Sequence, residues 1–376
     1  MAANIDAAAA ERVEAVLSLV ATRADPRERA HLEAFGSAYL AGLDAEDVIE
    51  RDALDLYGAV RSLWQVAATR TPGEAKVRVF NPSVDEQGWQ SPHTVVEIVN
   101  DDMPFLVDSV QMEVLRQGLA VNLIAHPIVT VKRDAGGRLG GLAREGERDG
   151  VRESLMHVEV ERVADAARRS ALAADVARVL GDVRIVVGDW APMRAKMLEV
   201  MADLEKNPPP LAADDVAETR EYLAWLADAH FTYVGYRCHD LVERDDGVGL
   251  AIVPGSGLGI LRDRAGETHS ASFGQLPAAL REQAKARDLV IITKSNSRST
   301  VHRPGYLDYI GIKRYDAAGN VCGEHRFLGL YTSMAYSAKP TDIPLLRRKV
   351  GRVLEQAGFP PQSHSATSLT NILATH

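Results

Sequence analysis

The sequence predicts an α+β protein, with an N-terminal helical segment, a ferredoxin-like βαββαβ domain and a second domain built on an antiparallel sheet. Three observations predict it. Apolar residues recur at helical spacing as far as about residue 75. Strand-like and helix-like stretches then alternate as far as Val187. Beyond Pro210, β-branched runs and turn residues surround few helical stretches. The 376 residues, 46% hydrophobic and 25% charged, have ordinary globular composition with enough chain for two or three domains.

Residues 1–75 read as helices. Val13, Val16, Leu17 and Val20 form one apolar stripe, and Leu32, Phe35, Ala38 and Tyr39 form a second after the breaker Pro26. Asp44 is the expected cap of a third helix through Leu54, Tyr57, Val60 and Trp64, which Thr71-Pro72-Gly73 ends. This segment reads as a small bundle that packs on something else.

Residues 76–190 form the βαββαβ unit. Val77–Phe80 is a preliminary strand. Thr94–Val99 is a strand, Phe105–Gln117 a helix, and Asn122–Arg133 a strand whose Pro127 marks it as an edge. A Gly-rich loop, Gly136–Gly150, precedes the strand Ser154–Val163, in which Met156, Val158 and Val160 alternate with His157, Glu159 and Glu161. A helix over Asp165–Leu180 and a closing strand Arg184–Val187 complete the set. Residues 191–213 are a helix, Met193–Glu205, and the linker Asn207-Pro208-Pro209-Pro210.

Residues 214–335 read as a sensor-like α+β domain. A helix with Tyr222, Leu223, Trp225 and Leu226 leads to the strands Phe231–Cys238 and Leu250–Val253. A short helix covers Leu276–Ala286, and Leu289–Lys294 is a strand. Tyr306–Tyr315 and Cys322–Tyr331 pair as a hairpin across Asp316–Asn320. Residues 336–376 are a C-terminal helix, Leu345–Ala357, and a tail.

Composition excludes several functions. A net charge of −9 lacks the basic face that nucleic acid requires. No run approaches the ~18 apolar residues of a membrane span, and the acidic, helical N-terminus does not read as a signal peptide. Cys238 and Cys322 are too few for a disulfide framework or a Cys-rich zinc site and read as reduced, buried thiols of a cytoplasmic protein.

The chemistry concentrates at the stretch His93–Leu119. A strand runs into Asn100, Asp101, Asp102 and Met103, and Pro104 then opens a helix, since proline suits the first helical position. Met103 is the positional cap, which leaves the two carboxylates free in the loop. Helix N–H groups for an anion and carboxylates for an amine make a place for a small zwitterion. A metal is a minor alternative there, because no third ligand is nearby. The loop Lys294–Gly305 carries Arg298, His302 and Arg303, donors for a carboxylate or phosphate or for a contact between domains. Gly255-Ser256-Gly257-Leu258-Gly259 follows a strand, but Ile260 takes the last glycine position of a dinucleotide fingerprint and no amphipathic helix follows, so a flexible hairpin loop is the better reading. No P-loop, zinc-protease or hydrolase motif is present. His126, His157 and His230, in or beside strands, read as structural.

Several stretches are recognisable together. Thr69-Arg-Thr-Pro-Gly73, Val77-Arg-Val-Phe-Asn-Pro82, Gly88-Trp89 and Val99–Ser109 resemble the N-terminal part of the large-subunit class of NAD-specific glutamate dehydrogenases. His230–Arg237 and Ser297–Gly311 are similar to two further signatures of that class. The resemblance implies ACT-like and PAS-like domains, homo-oligomers and amino-acid effectors. It places the catalytic core and its NAD site downstream of His376, so no catalytic residue, cofactor or metal is expected in this segment. ACT domains that bind amino acids commonly carry glycine after the loop proline. Here that position is Phe105, whose side chain would fill the effector site.

The leading expectation is therefore a non-catalytic regulatory and assembly region of a glutamate dehydrogenase. Its partners are the downstream catalytic domain, further copies of the chain and an amino-acid effector at Asn100–Met103. The alternatives are a purely structural oligomerisation region, a stand-alone amino-acid sensor, or an enzyme using Asp101, Asp102 and the basic loop.

Overall fold

The structure, a computed structural model, describes residues 2–143, 147, 150–245, 247–277, 281–359, 363–365 and 367–369. The chain divides into two compact units. One comprises residues 1–184 and 300–303, the other residues 185–299 and 304–376.

The first unit opens with four helices, α1 (Ala2–Arg23), α2 (Arg29–Ala41), α3 (Ala45–Ile49) and α4 (Ala53–Ala67). Their apolar stripes behave as the spacing predicts, with Val16, Val20, Phe35, Tyr39, Val60 and Leu63 fully buried. The single helix expected from Asp44 is broken in two. Asp44 makes no side-chain cap bond, whereas the Asp52 carboxylate accepts from the Leu54 N–H at 2.8 Å and starts α4 anew.

Next come β1 (Lys76–Phe80), α5 (Val84–Gln87), β2 (Thr94–Asp101), α6 (Leu106–Arg116), β3 (Val121–Ala125), β4 (Ile128–Arg133), β5 (Leu139–Leu142), β6 (Val151–Val160) and the long helix α7 (Ala166–Lys206). The sheet order is β1-β2-β6-β4-β5, with β3 also on β6, and every pairing is antiparallel. The four helices share one core with Val95, Val99, Ala125, Val129, Val131 and Leu155 of this sheet. Strand alternation turns Val96, Ile98 and Asn100 to the opposite face.

Three expectations need correction here. The closing strand Arg184–Val187 does not form, because α7 runs straight through it, and Val183, Val186 and Met193 are buried at helical spacing. The place beside β2 that such a strand would take is filled by β1, in the register Val77↔Ile98. The strand Asn122–Arg133 breaks at His126-Pro127. Its first half, β3, is an edge; its second half, β4, lies between β6 and β5, and β5 forms within Gly136–Gly150, the stretch read as a loop. Along β6, Glu153, His157 and Glu159 are as buried as Met156 and Val158.

The second unit holds the rest of α7, then α8 (Ala213–Trp225) and a π-helical turn, Leu226–His230. Its sheet comprises β7 (Phe231–Arg244), β8 (Gly247–Ile252), β9 (Leu258–Gly259), β10 (Val290–Arg298), β11 (Tyr306–Tyr315) and β12 (Val321–Tyr331). The order β10-β11-β12-β7-β8 is antiparallel, and β9 adds to β7. Met193, Met197, Leu223, Phe231, Tyr233 and Phe327 form its core.

The β11–β12 hairpin forms as expected, with the Asp316 carboxylate accepting from the N–H groups of Ala318 and Asn320. The helix expected over Leu276–Ala286 is instead the short α9 (Ala271–Gly274) and a 3-10 turn, Gln283–Lys285; residues 278–280 lie outside the described residues. The glycine loop does not lead into a helix. Gly255 donates to Asp263 at 2.6 Å, Gly259 donates to Asp189 at 2.8 Å, and Gly259 pairs with Gly235. The helices α10 (Ser333–Ser337) and α11 (Leu346–Ala357) follow, and Gly358 ends α11 with φ +64°. Cys238 is a buried free thiol, but Cys322 is only half-buried.

Candidate functional site

The junction of β2 and α6 carries the candidate site. Its expected helix start shifts. Pro104 lies in a turn, and α6 begins at Leu106 with Phe105 at the N-cap in a left-handed backbone, φ 71°. Glycine adopts that conformation without cost, which is the physical reason for glycine at this point of an amino-acid-binding loop. Phe105 adopts it with its ring 4.7 Å from that of His302.

The carboxylates are not free. Asp101 Oδ1 accepts from Arg70 at 2.6 Å, and Oδ2 accepts from Arg184. Burial alone would raise the Asp101 pKa, but the two guanidiniums outweigh it and hold the carboxyl below its usual range. Arg70 also donates to Glu153, at 2.7 Å, and Arg133 grips both Glu153 oxygens at 2.6 and 2.7 Å. Glu153 has no exposed surface, so it depends on this fork-to-fork pairing for its charge. Asp102 is held separately by Arg152 at 2.9 Å, and its N–H donates to the Arg152 carbonyl.

The strand positions explain who meets whom. Asp101 lies opposite Glu153 in the β2–β6 register, so both carboxylates share a face, and Arg70 follows α4 onto it. Asn100, one residue earlier, points to the other face, where its side-chain oxygen accepts from Arg184. The Asn100 Nδ2 is buried and has no partner. Three guanidiniums, Arg70, Arg133 and Arg184, thus face two carboxylates beside an unused amide donor. As folded, the junction is richer in donors than in acceptors. Met103 is half-buried beside it. His126 Nε2 lies 2.7 Å from Ser154 Oγ, and burial lowers its pKa.

Of the basic loop, residues 300–303 belong to the first unit. His302, with φ 75°, donates its N–H to Ser109 Oγ at 3.0 Å, and its Nδ1 is 3.6 Å from the Asp108 carboxylate. The structure therefore places His302 beside the first turn of α6. Arg303 donates its N–H to the Val301 carbonyl at 3.1 Å. Arg298 lies in the second unit, with its guanidinium 5.0 Å from the Tyr306 ring centroid. Arg70 and Arg184 were missed at the sequence level. The sequence suggests a strand at Arg184, not the helix that brings it to Asp101. For Arg70 the signal is present, in a Thr69–Gly73 turn that directly follows an amphipathic helix.

Residues 35–176 match the ACT1 domain of glutamate dehydrogenase, and residues 343–376 match its helical motif 1. The chain is similar along nearly all its length to NAD-specific glutamate dehydrogenases. It is 36% identical to the NAD-specific glutamate dehydrogenase of Halomonas elongata over 94% of this chain and 22% of that protein. With that of Pseudomonas aeruginosa it shares 36% identity over 90% of this chain and 21% of the relative. With that of Mycobacterium tuberculosis the identity is 26% over 93% of this chain and 22% of the relative. The chain spans about a fifth of the length of these relatives. The ACT1 match takes in α2 to α4 as well as the sheet, and the two share one core. No helix among the described residues is long and apolar enough to cross a membrane.

Proposed function

We propose that this chain is the regulatory and assembly region of a cytoplasmic, homo-oligomeric NAD-specific glutamate dehydrogenase. The parent reaction is oxidative deamination of L-glutamate to 2-oxoglutarate and ammonia, with hydride passing to NAD in a domain outside this chain. The observation that carries the reading is the ACT1 match, joined to a β2–α6 junction that concentrates charged side chains. The effector position is Asn100–Met103, and Arg298, His302 and Arg303 are separate, weaker candidates for an anion contact. The donor excess favours an effector that offers a carboxylate to Asn100 and Arg184. The order β10-β11-β12-β7-β8 supports a PAS-like reading of the second unit.

A purely structural role is the second reading. The pairing of Asp101 with Arg70 and Arg184 and the ring of Phe105 at the glycine position favour it. Calorimetry of this chain with a panel of amino acids separates the two. The regulatory reading expects saturable heat with at least one of them, lost in Arg184→Ala. It also expects that amino acid to change glutamate-dependent NADH formation by the full-length protein. Heatless titrations throughout would leave assembly as the role.

A further inference from the structure

A second polar cluster lies on the face of this sheet that α2–α4 cover, the face that Asp101 and Glu153 also share, four to six residues along β2 and β6 from those two carboxylates. Glu97 and His157 are register partners on β2 and β6, and Glu159 follows on β6. All three are buried. Against them stands Tyr39 of α2, with no exposed surface and a hydroxyl that has no hydrogen-bond partner among the described residues. Both ring nitrogens of His157 also lack a hydrogen bond, and the nearest carboxylate oxygen, Glu159 Oε1, is 3.7 Å from Nε2. Burial raises the Tyr39 pKa well above 10, and Glu159 and Glu97 raise it further, so the phenol keeps its proton and sits among these carboxylates.

A cavity of about 230 Å³ opens at this cluster. Tyr39, Leu56, Trp89 and Leu123 form its apolar and aromatic walls, and Glu50, Asp52, Asp55 and Glu159 supply carboxylates. Arg51 and His93 are the basic groups in the lining. Arg51 is already paired, at 3.0 Å with Glu159 and 3.2 Å with Asp47. The cavity is held by design of the chain rather than by loose packing. Trp89 sits directly on Gly58 of α4, where a Cβ would come within 2.2 Å of the indole. Ser91 closes the floor, with its hydroxyl 3.3 Å from Glu159.

We propose that this cavity binds a small organic ammonium ion carrying N–H groups. The carboxylates and the Tyr39 oxygen accept from the ammonium, and the Trp89 and Tyr39 rings cover its carbon skeleton. A buried, unpartnered hydroxyl is costly to leave unmade, and a ligand with N–H donors supplies what the protein does not. The cavity lining shares no residue with the effector position at Asn100–Met103, so the variants below test the two separately.

The test is ligand-observed NMR and tryptophan fluorescence of the full 376-residue chain titrated with ethylammonium, with acetate and ethanol as controls. Ethylammonium is expected to give a saturable signal, and the controls none. Tyr39→Phe removes only the unpartnered hydroxyl, so the protein keeps its melting temperature and loses affinity about tenfold. Asp55→Asn keeps an acceptor for the Gln90 N–H and removes one charge, and it weakens binding several-fold. Three results would overturn the proposal. They are the absence of saturable ethylammonium binding, equal binding of acetate, and affinity unchanged in both variants. The first would mean that ordered water alone fills the cavity.

Discussion

Arg184, on a helix that the sequence disguises as a strand, donates to the carboxylate of Asp101 and so shares that group with Arg70 from the far end of the helical bundle. The junction that looks acidic in the sequence is therefore neutralised by arginines separated from it by 31 and 83 residues. This changes what the loop can hold, and it makes the network's integrity measurable.

Removing Arg70 should be costly. Its side chain is 2% exposed and pairs with Glu153, whose side chain is 0% exposed. Breaking a buried pair from one side leaves an uncompensated charge, worth about 3–5 kcal/mol; the remaining Arg133–Glu153 fork puts Arg70→Ala at about 3 kcal/mol. Urea unfolding checks this. A loss below about 1 kcal/mol, typical of an exposed pair, would contradict the account.

Phe105 tests whether the left-handed backbone or the ring matters more. Phe105→Gly removes a conformational cost of about 1–2 kcal/mol and loses the contact with His302, so the two nearly cancel. Phe105→Val keeps an apolar side chain but puts a β-branched residue where φ is 71°, and should destabilise by about 2 kcal/mol or more. Equal effects of the two substitutions in thermal melts would show that backbone sign is not the controlling factor.

Gly58→Ala should cost about 1–3 kcal/mol by overpacking, since the new Cβ meets the Trp89 side chain within 2.3 Å at two atoms. The displacement should also shift the emission of Trp89. Normal stability with an unchanged spectrum would show that Trp89 does not lie on α4.

Two histidines of the second unit give a pH dependence with a definite sign. Burial, then Arg326 and Arg237, lowers His239 to about 2; burial, then Arg314, lowers His325 to about 4. Both ordinary values are 6.5. The folded state therefore resists protonation that the unfolded chain accepts. Stability is full above about pH 6.5 and falls as pH drops, by up to about 1.4 kcal/mol per unit for each histidine. The His325 contribution levels off near pH 4, and that of His239 continues lower. Denaturation midpoints between pH 7 and 4.5 check the slope, and His239→Gln should flatten it, with His325 and the buried His126 keeping the remainder. An unchanged slope in that variant would assign the pH dependence elsewhere.

Much of this architecture is legible in the sequence, for physical reasons that differ by element. Local signals are reliable where one turn residue decides the outcome, as at Asp316–Asn320 and at Gly358. Periodicity finds α1, α2 and α6 because their buried faces are continuous. It fails at Arg184–Val187, where Arg-Ile-Val-Val suits a strand by propensity but tertiary burial of Val183, Val186 and Met193 selects a helix. Alternation does not say what covers each face, and the burial of His157 and Glu159 follows from the helical bundle. The loop Asn100–Met103 is locatable from its residue types. Its partners are not, because Arg70 and Arg184 reach it only through folding of the whole unit.

The exchange of a closing strand for β1 has a consequence for the order of assembly. In the expected arrangement the sheet would wait for residues 184–187 to supply its last strand. Here all six strands lie between Lys76 and Val160. During synthesis the sheet and the four helices that cover its face can close as soon as Val160 clears the ribosome. α6 precedes β6 in the chain and can join at the same time, so only α7 is still to come, and Arg184 arrives with it to lock Asp101 into a sheet that is already built.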